Sequence, residues 1–106
     1  MTTFSLEITI RFVQAAEQRP LHAVCYPHLP AAAFAEHFAR LLRWQANGRA
    51  CWLVAVLDDA LVGSGQLVRY SRAVELANLV VAPARRRQGI GRQLLRALRQ
   101  TAAARW

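Results

Sequence analysis

A chain of 106 residues has room for one domain, expected to span residues 1–106, because at this size folding hides only about two-thirds of the unfolded surface. Its 55% hydrophobic content excludes a disordered chain, and its apolar runs are broken by Asp58-Asp59, by glycines and by arginines, short of the ~18 residues of a membrane span. All 14 basic residues are arginine, and seven of them follow Ala84 where no acid occurs, so nearly all of the net charge of +8 lies in the last fifth of the chain; a basic patch of that kind suits a phosphorylated cofactor, a nucleic acid or an acidic protein segment.

In chain order, Met1 to Thr9 lacks the basic region and apolar block of a signal peptide, and the expected location is the cytoplasm. Leu6, Ile8, Ile10 and Phe12 alternate with Ser5, Glu7, Thr9 and Arg11, the period of a half-buried strand over Ser5 to Phe12. Pro20 and Pro27 then bracket a short helix, since proline suits a first helical turn and ends what precedes it. Cys25 and, further on, Cys51 fit no metal or redox spacing and read as buried, reduced packing residues.

From Ala31 to Asn47, Phe34, Phe38, Leu41, Leu42 and Trp44 fall at helical spacing between Pro30 and the stop Asn47-Gly48. His37, Leu41 and Trp44 share a stripe that could line a substrate pocket, although core packing is the ordinary role of such residues. Arg49 to Leu57 is a short, β-rich apolar run ended by Asp58-Asp59, and Leu61 to Tyr70 is its hairpin partner, with Gly63 and Gly65 marking a bulge or the close approach of another backbone. Ser71-Arg72 turns the chain into a third consecutive strand, Ala73 to Ala82. Pro83 ends that strand, and Ile90, Leu94, Leu95, Leu98 and Ala102 line one face of a helix over Gln88 to Ala104.

The junction of this last strand and helix carries the chemistry. An apolar strand, three consecutive arginines and Gly89-Ile90-Gly91 before a helix present backbone N–H groups to an anion. The dinucleotide fingerprint needs a third glycine where Leu94 stands, and the phosphate-binding loop of nucleotide hydrolases needs a lysine, which this chain lacks. A nucleic-acid patch is disfavoured because no aromatic residue interleaves with Arg85 to Arg99 as a stacking platform.

Val81-Ala82-Pro83 followed by Arg86-Arg87-Gln88-Gly89-Ile90-Gly91 and Leu94-Leu95 strongly resembles the acetyl-coenzyme-A motif of the GNAT superfamily of N-acetyltransferases, Gln/Arg-x-x-Gly-x-Gly/Ala. Leu61-Val62-Gly63-Ser64-Gly65 looks like that family's third strand, and Ile8-Thr9-Ile10-Arg11 followed by helices looks like its opening. The resemblance implies an α+β fold with a GNAT-like mixed sheet in the order β-α-α-β-β-β-α, truncated relative to the family fold because the chain ends directly after the cofactor helix. It further implies acetyl transfer from acetyl-coenzyme A to a primary amine of a small molecule or peptide, with a non-catalytic coenzyme-A-binding module as the alternative.

Carried onto this sequence, the backbone amides of Arg87, Gln88, Gly89, Ile90 and Gly91 would cap the pyrophosphate. Arg86 and its neighbours, Arg92 among them, would supply positive charge, and Leu79, Val80 and Val81 would pair with the pantetheine arm. Glu75, six residues before Val81, would be the catalytic base; Tyr26 and Tyr70 do not match the position of the family's general acid. With no further strand, the edge from Ala73 to Ala82 is expected to be open and apolar; a truncated chain, a partner protomer that supplies the missing wall and a degenerate family member are the competing explanations, and self-association through this edge, with weak or absent activity in the isolated monomer, is the expectation.

Overall fold

The turn chemistry of this chain fixes a meander. The computed structural model describes residues 7–106; Ser5 and Leu6 of the expected first strand lie outside them, and the strand itself is β1, Thr9–Phe12. A 3-10 turn, Ala15–Glu17, leads into α1, Gln18–Cys25, with Pro20 in its first turn, and α2 follows as Ala31–Ala46. Gly48 has φ +81° and closes α2: its N–H donates to the Gln45 carbonyl, and that of Arg49 donates to the Trp44 carbonyl. This is the glycine cap that lets a chain leave a helix with its last carbonyls satisfied.

Strands β2, Ala50–Leu57, and β3, Ala60–Arg69, are joined through Asp58 and Asp59, both at positive φ (51° and 62°). Two central residues of that hand match the right-handed twist of the flanking strands. β4 is Val74–Val81, a 3-10 turn spans Pro83–Arg85, and α3 is Ile90–Arg105. The sheet order is β1-β2-β3-β4 and every pairing is antiparallel; the architecture is the expected α+β one, while the mixed character implied by the resemblance does not arise within these four strands.

Each face of the sheet is covered by helix. Ala50, Trp52 and Val54 of β2 join Leu21, Cys25, Tyr26, Phe34, Phe38 and Leu41 in one core beneath α1 and α2. Cys51, Leu53, Ala55 and Leu57 join Ile90, Leu94 and Leu98 of α3 in the other. A strand buried on both faces has no polar side to show, which is why β2 reads as one unbroken apolar run. Trp52 is fully buried, with the rings of Tyr26, Phe34, His37 and Phe38 at centroid distances of 5.5 to 6.3 Å; burying a side chain of this size contributes on the order of 2–3 kcal/mol.

The glycines of β3 have a packing reason. A Cβ on Gly65 would lie 2.7 Å from Cδ1 of Leu98, and one on Gly63 would lie 2.9 Å from the carbonyl oxygen of Val80 and 3.0 Å from Cδ1 of Leu94. Two register shifts fall beside them: between Ala55 and Val56 of β2, where Val62 is the extra residue of β3, and between Ser64 and Gln66 of β3, where β4 carries the extra residue. Cys25 and Cys51 are free buried thiols, and burial pushes both up from the ordinary thiol pKa. No helix among the described residues is long and apolar enough to cross a membrane.

Candidate anion cradle and acyl-transfer edge

The cradle is built where β4 hands over to α3. Pro83 starts the 3-10 turn, Arg86 leaves it in extended conformation, and Arg87 (φ 66°) and Gly89 (φ 82°) both take the left-handed region. The residue that enters α3 is therefore a glycine with no side-chain cap. Ile90, the first helical residue, is 1% exposed and packs in the core beneath α3, so the cradle is anchored at its floor while its rim faces solvent.

The decisive feature is what the main chain leaves unused. The Arg85 and Arg86 N–H groups turn back onto Ala82 and Pro83, and the Gln93 N–H donates to Gly89, but the intervening amides of Arg87, Gln88, Gly89, Ile90, Gly91 and Arg92 make no hydrogen bond among the described residues. Consecutive unpaired donors at a helix start, reinforced by the helix dipole, are a donor set of the kind that suits an anion. A Cβ on Gly89 would meet nothing within 4 Å and one on Gly91 would meet only Cγ2 of Val81 at 3.5 Å. Packing therefore does not require these two glycines to lack side chains; the left-handed φ favours glycine at position 89, and an open approach to the amides suits Gly91.

Arg85, Arg86, Arg87 and Arg92 flank or carry these donors in the chain and pair with no carboxylate; the one ion pair among the described residues joins Arg11 to Glu17 at 2.7 Å. Arg86 also ties the loop to the strand, its Nε donating to the Val81 carbonyl at 3.3 Å. The residues present thus fit a phosphorylated ligand: unshared N–H donors, guanidinium groups and a gap over the glycines.

β4 is the edge of the sheet, with Val74, Leu76 and Leu79 exposed at 37%, 41% and 39%. Val80 is half-buried against the core under α1 and α2, and Val81 is half-buried against the core under α3, beside Gly91. Leu79, Val80 and Val81 therefore lead directly to the cradle. Glu75 stands apart from it, exposed and in register with Val68, and its carboxylate has no hydrogen-bond partner among the described residues. On β3, Val68 and Gln66 face α1 and α2, so Glu75 and Ala77, their partners, lie on the same side.

The stripe of His37, Leu41 and Trp44 divides. Leu41 is core, Trp44 lies between the guanidinium groups of Arg40 and Arg49 (5.9 and 4.3 Å), and His37 joins a polar group absent from the sequence reading. In that group the Gln66 Nε2 donates to Tyr26 Oη at 3.2 Å and lies 3.0 Å from His37 Nε2, while its Oε1 accepts from Asn78 Nδ2 at 2.9 Å. Burial, with Arg40 nearby, holds His37 below the usual histidine pKa, and burial pushes the Tyr26 hydroxyl well above the ordinary tyrosine value. The signal for this group is two amides inside apolar strand segments, Gly65-Gln66-Leu67 and Ala77-Asn78-Leu79.

Comparison with known proteins follows the same outline. Residues 15–105 match the model of the acetyltransferase (GNAT) family. No curated protein sequence matches the chain. Among solved structures, a Pyrococcus horikoshii protein assigned to the acetyltransferases is similar with a TM-score of 0.80 at 22% identity, over 98% of this chain and 37% of that one. The PaiA N-acetyltransferase of Thermoplasma acidophilum in complex with coenzyme A gives 0.71 at 22% identity, over 91% of this chain and 72% of that one. An aminoglycoside 6'-N-acetyltransferase complexed with coenzyme A gives 0.76 at 25% identity, over 92% of this chain and 56% of that one. The chain thus spans between about a third and three-quarters of the length of these structures.

Proposed function

Because the chain belongs to the acetyltransferase (GNAT) family, we propose that it binds acetyl-coenzyme A and transfers the acetyl group to a primary amine of a small molecule or peptide. The observation that carries this reading is the run of unpaired amides from Arg87 to Arg92 set among arginines without acidic partners. Those amides hold the pyrophosphate, with Arg86, Arg87 and Arg92 adding charge, and the open edge at Leu79, Val80 and Val81 takes the pantetheine arm as an added strand. The cofactor supplies an activated acetyl thioester.

Glu75 acts on the acceptor. A primary amine is mostly an ammonium ion near neutral pH and must lose a proton before its nitrogen can form the new bond; the carboxylate of Glu75, exposed on the α1 and α2 side of the same edge strand, takes that proton. Carbon–nitrogen bond formation would balance carbon–sulfur cleavage, with the leaving thiolate taking up the second proton that the acylated nitrogen sheds. Self-association through the open β4 edge belongs to the same proposal, since Val74, Leu76 and Leu79 present an unpaired apolar strand, and two buried free thiols suit a reducing cytoplasm.

Calorimetry against acetyl-coenzyme A, paired with release of free thiol over an amine panel, tests the reading. Binding with thiol release supports it, binding without release identifies a coenzyme-A module instead, and absence of binding removes it. Sedimentation across a concentration series tests the edge, which requires association; a monomer at every concentration refutes it.

A further inference from the structure

Resting on the acyl-transfer reading above, we propose that Asn78, Gln66, Tyr26 and His37 form a positioning device: a hydrogen-bonded seam, centred on the buried Gln66 amide, that holds a bulge in β4 and so aims the main chain of Leu79 and Val80 at the transferred acetyl group.

The bulge is visible in the register. Gln66 pairs with Ala77 and Ser64 pairs with Val80, so Gly65 alone faces both Asn78 and Leu79. A two-against-one step of this kind reverses which side each later residue faces, as a one-residue slip does. Because of it Leu79 lies 3.2 Å from where a Gly65 Cβ would sit, Val80 meets the core under α1 and α2, and Val81 meets the core under α3 beside Gly91. Without the step Val80 and Val81 would exchange faces, and the strand would no longer meet the cradle in its present register.

The step depends on Asn78, which sits at φ 52°. A non-glycine residue is held there at some cost, and asparagine bears it best because its short amide can bond locally. Here the amide reaches inward to Gln66, which is 1% exposed. A buried amide is expensive unless bonded, and Gln66 is bonded at both ends, to Asn78 from one strand and to Tyr26 and His37 from the helical layer. A leucine at 66 would serve burial as well, as Val68 does two residues on; what it could not do is hold Asn78. His37 Nε2 lies 3.0 Å from the Gln66 amide while the Arg40 guanidinium approaches its Nδ1 at 3.4 Å, and burial, with Arg40 nearby, favours the neutral ring.

The test uses the full chain, ¹⁵N-labelled, with Asn78→Gly, which keeps the left-handed backbone but removes the side-chain bond, and Gln66→Leu, which keeps burial but removes the seam. Amide exchange at residues 77–81 should speed about tenfold in both, a factor that corresponds to ~1.4 kcal/mol, while exchange along α3 is unchanged. The acetyl-transfer kcat should fall about tenfold with the coenzyme A dissociation constant within about twofold, because the cradle is untouched; that split marks loss of an interaction made in the transition state only. Unaltered exchange at 77–81 in Asn78→Gly overturns the inference even if Gln66→Leu fails to fold. Faster exchange with unchanged kcat, or with coenzyme A affinity lost in proportion, overturns the positioning role. If the wild-type chain transfers no acetyl group at all, the acyl-transfer reading fails, and the positioning role for that reaction falls with it, whereas exchange still decides whether the seam holds the bulge.

Discussion

The loop from Arg86 to Arg92 and the seam from His37 to Asn78 both bear on the same edge strand, yet they treat polar groups in opposite ways. The loop leaves six consecutive N–H groups unpaired, with arginines beside them in the chain. The seam buries an amide completely and bonds each of its ends. An open set of donors stores its hydrogen bonds for a ligand, while a closed set spends them internally to fix a conformation. One region is therefore equipped to bind and the other to hold, and variants should separate the two.

The largest effect is expected at the cradle. Gly89→Glu sets a side chain on a backbone at φ 82° and brings a carboxylate to a surface built for anions. Affinity for coenzyme A should fall about a hundredfold, close to 2.7 kcal/mol, with amide exchange at residues 77–81 unaltered. Equal binding by this variant in calorimetry would remove the cradle from the account.

Next is the strand that both regions share. Gly63→Ala places a Cβ 2.9 Å from the Val80 carbonyl oxygen, a backbone atom that cannot swing aside as a side-chain tip can. Overpacking of this kind costs about 1–3 kcal/mol. Denaturant titration should report that loss, and because Val80 moves, coenzyme A affinity and the 77–81 amides should both respond; a fully stable variant would show that β4 has slack the contacts do not suggest. Glu75→Gln follows with a decrease of about tenfold in kcat, below the roughly hundredfold low end for a general base, since water competes with an exposed carboxylate as proton acceptor. Stability and coenzyme A binding should stay as they were, and unchanged kcat across pH would strip Glu75 of its role.

How much of this was legible in the sequence follows from chain distance. Arg86, Gly89 and Gly91 lie within six residues, so the cradle could be read from spacing, as could the hairpin at Asp58-Asp59 and the helix closed at Gly48. Family membership and the α+β architecture followed from those local patterns. The seam draws one residue each from the end of α1, from α2, from β3 and from β4, and no local pattern announces that these four meet. His37 was noticed for its helical stripe, but its partner was not, because Gln66 becomes significant only once the sheet has placed it under Tyr26. The glycines of β3 were half legible: a close approach was expected from backbone, and the approaching atoms are the Val80 carbonyl at Gly63 and leucine side chains of α3 at both positions.

The smallest effect concerns the seam alone and is read through pH. The folded pKa of His37 lies below the ordinary value of 6.5, first because burial disfavours the charged ring and second because Arg40 is near, against which its bond with Gln66 acts weakly. Between the folded pKa and 6.5 the unfolded chain binds more protons than the folded one, so stability rises with pH across that window. The contribution is complete above about 6.5 and is lost as pH falls through the folded value. Glu17 works at lower pH: its hydrogen bond from Arg11 holds its carboxyl below 4.5, so its contribution is present above 4.5 and lost as pH falls further. Melting temperature followed from about pH 8 to pH 3 should therefore decline in two steps, and His37→Gln should remove the upper step while leaving the lower one in place. If the upper step persists in that variant, the ring that meets Gln66 is not the group being protonated, and the seam loses its one acid-sensitive member.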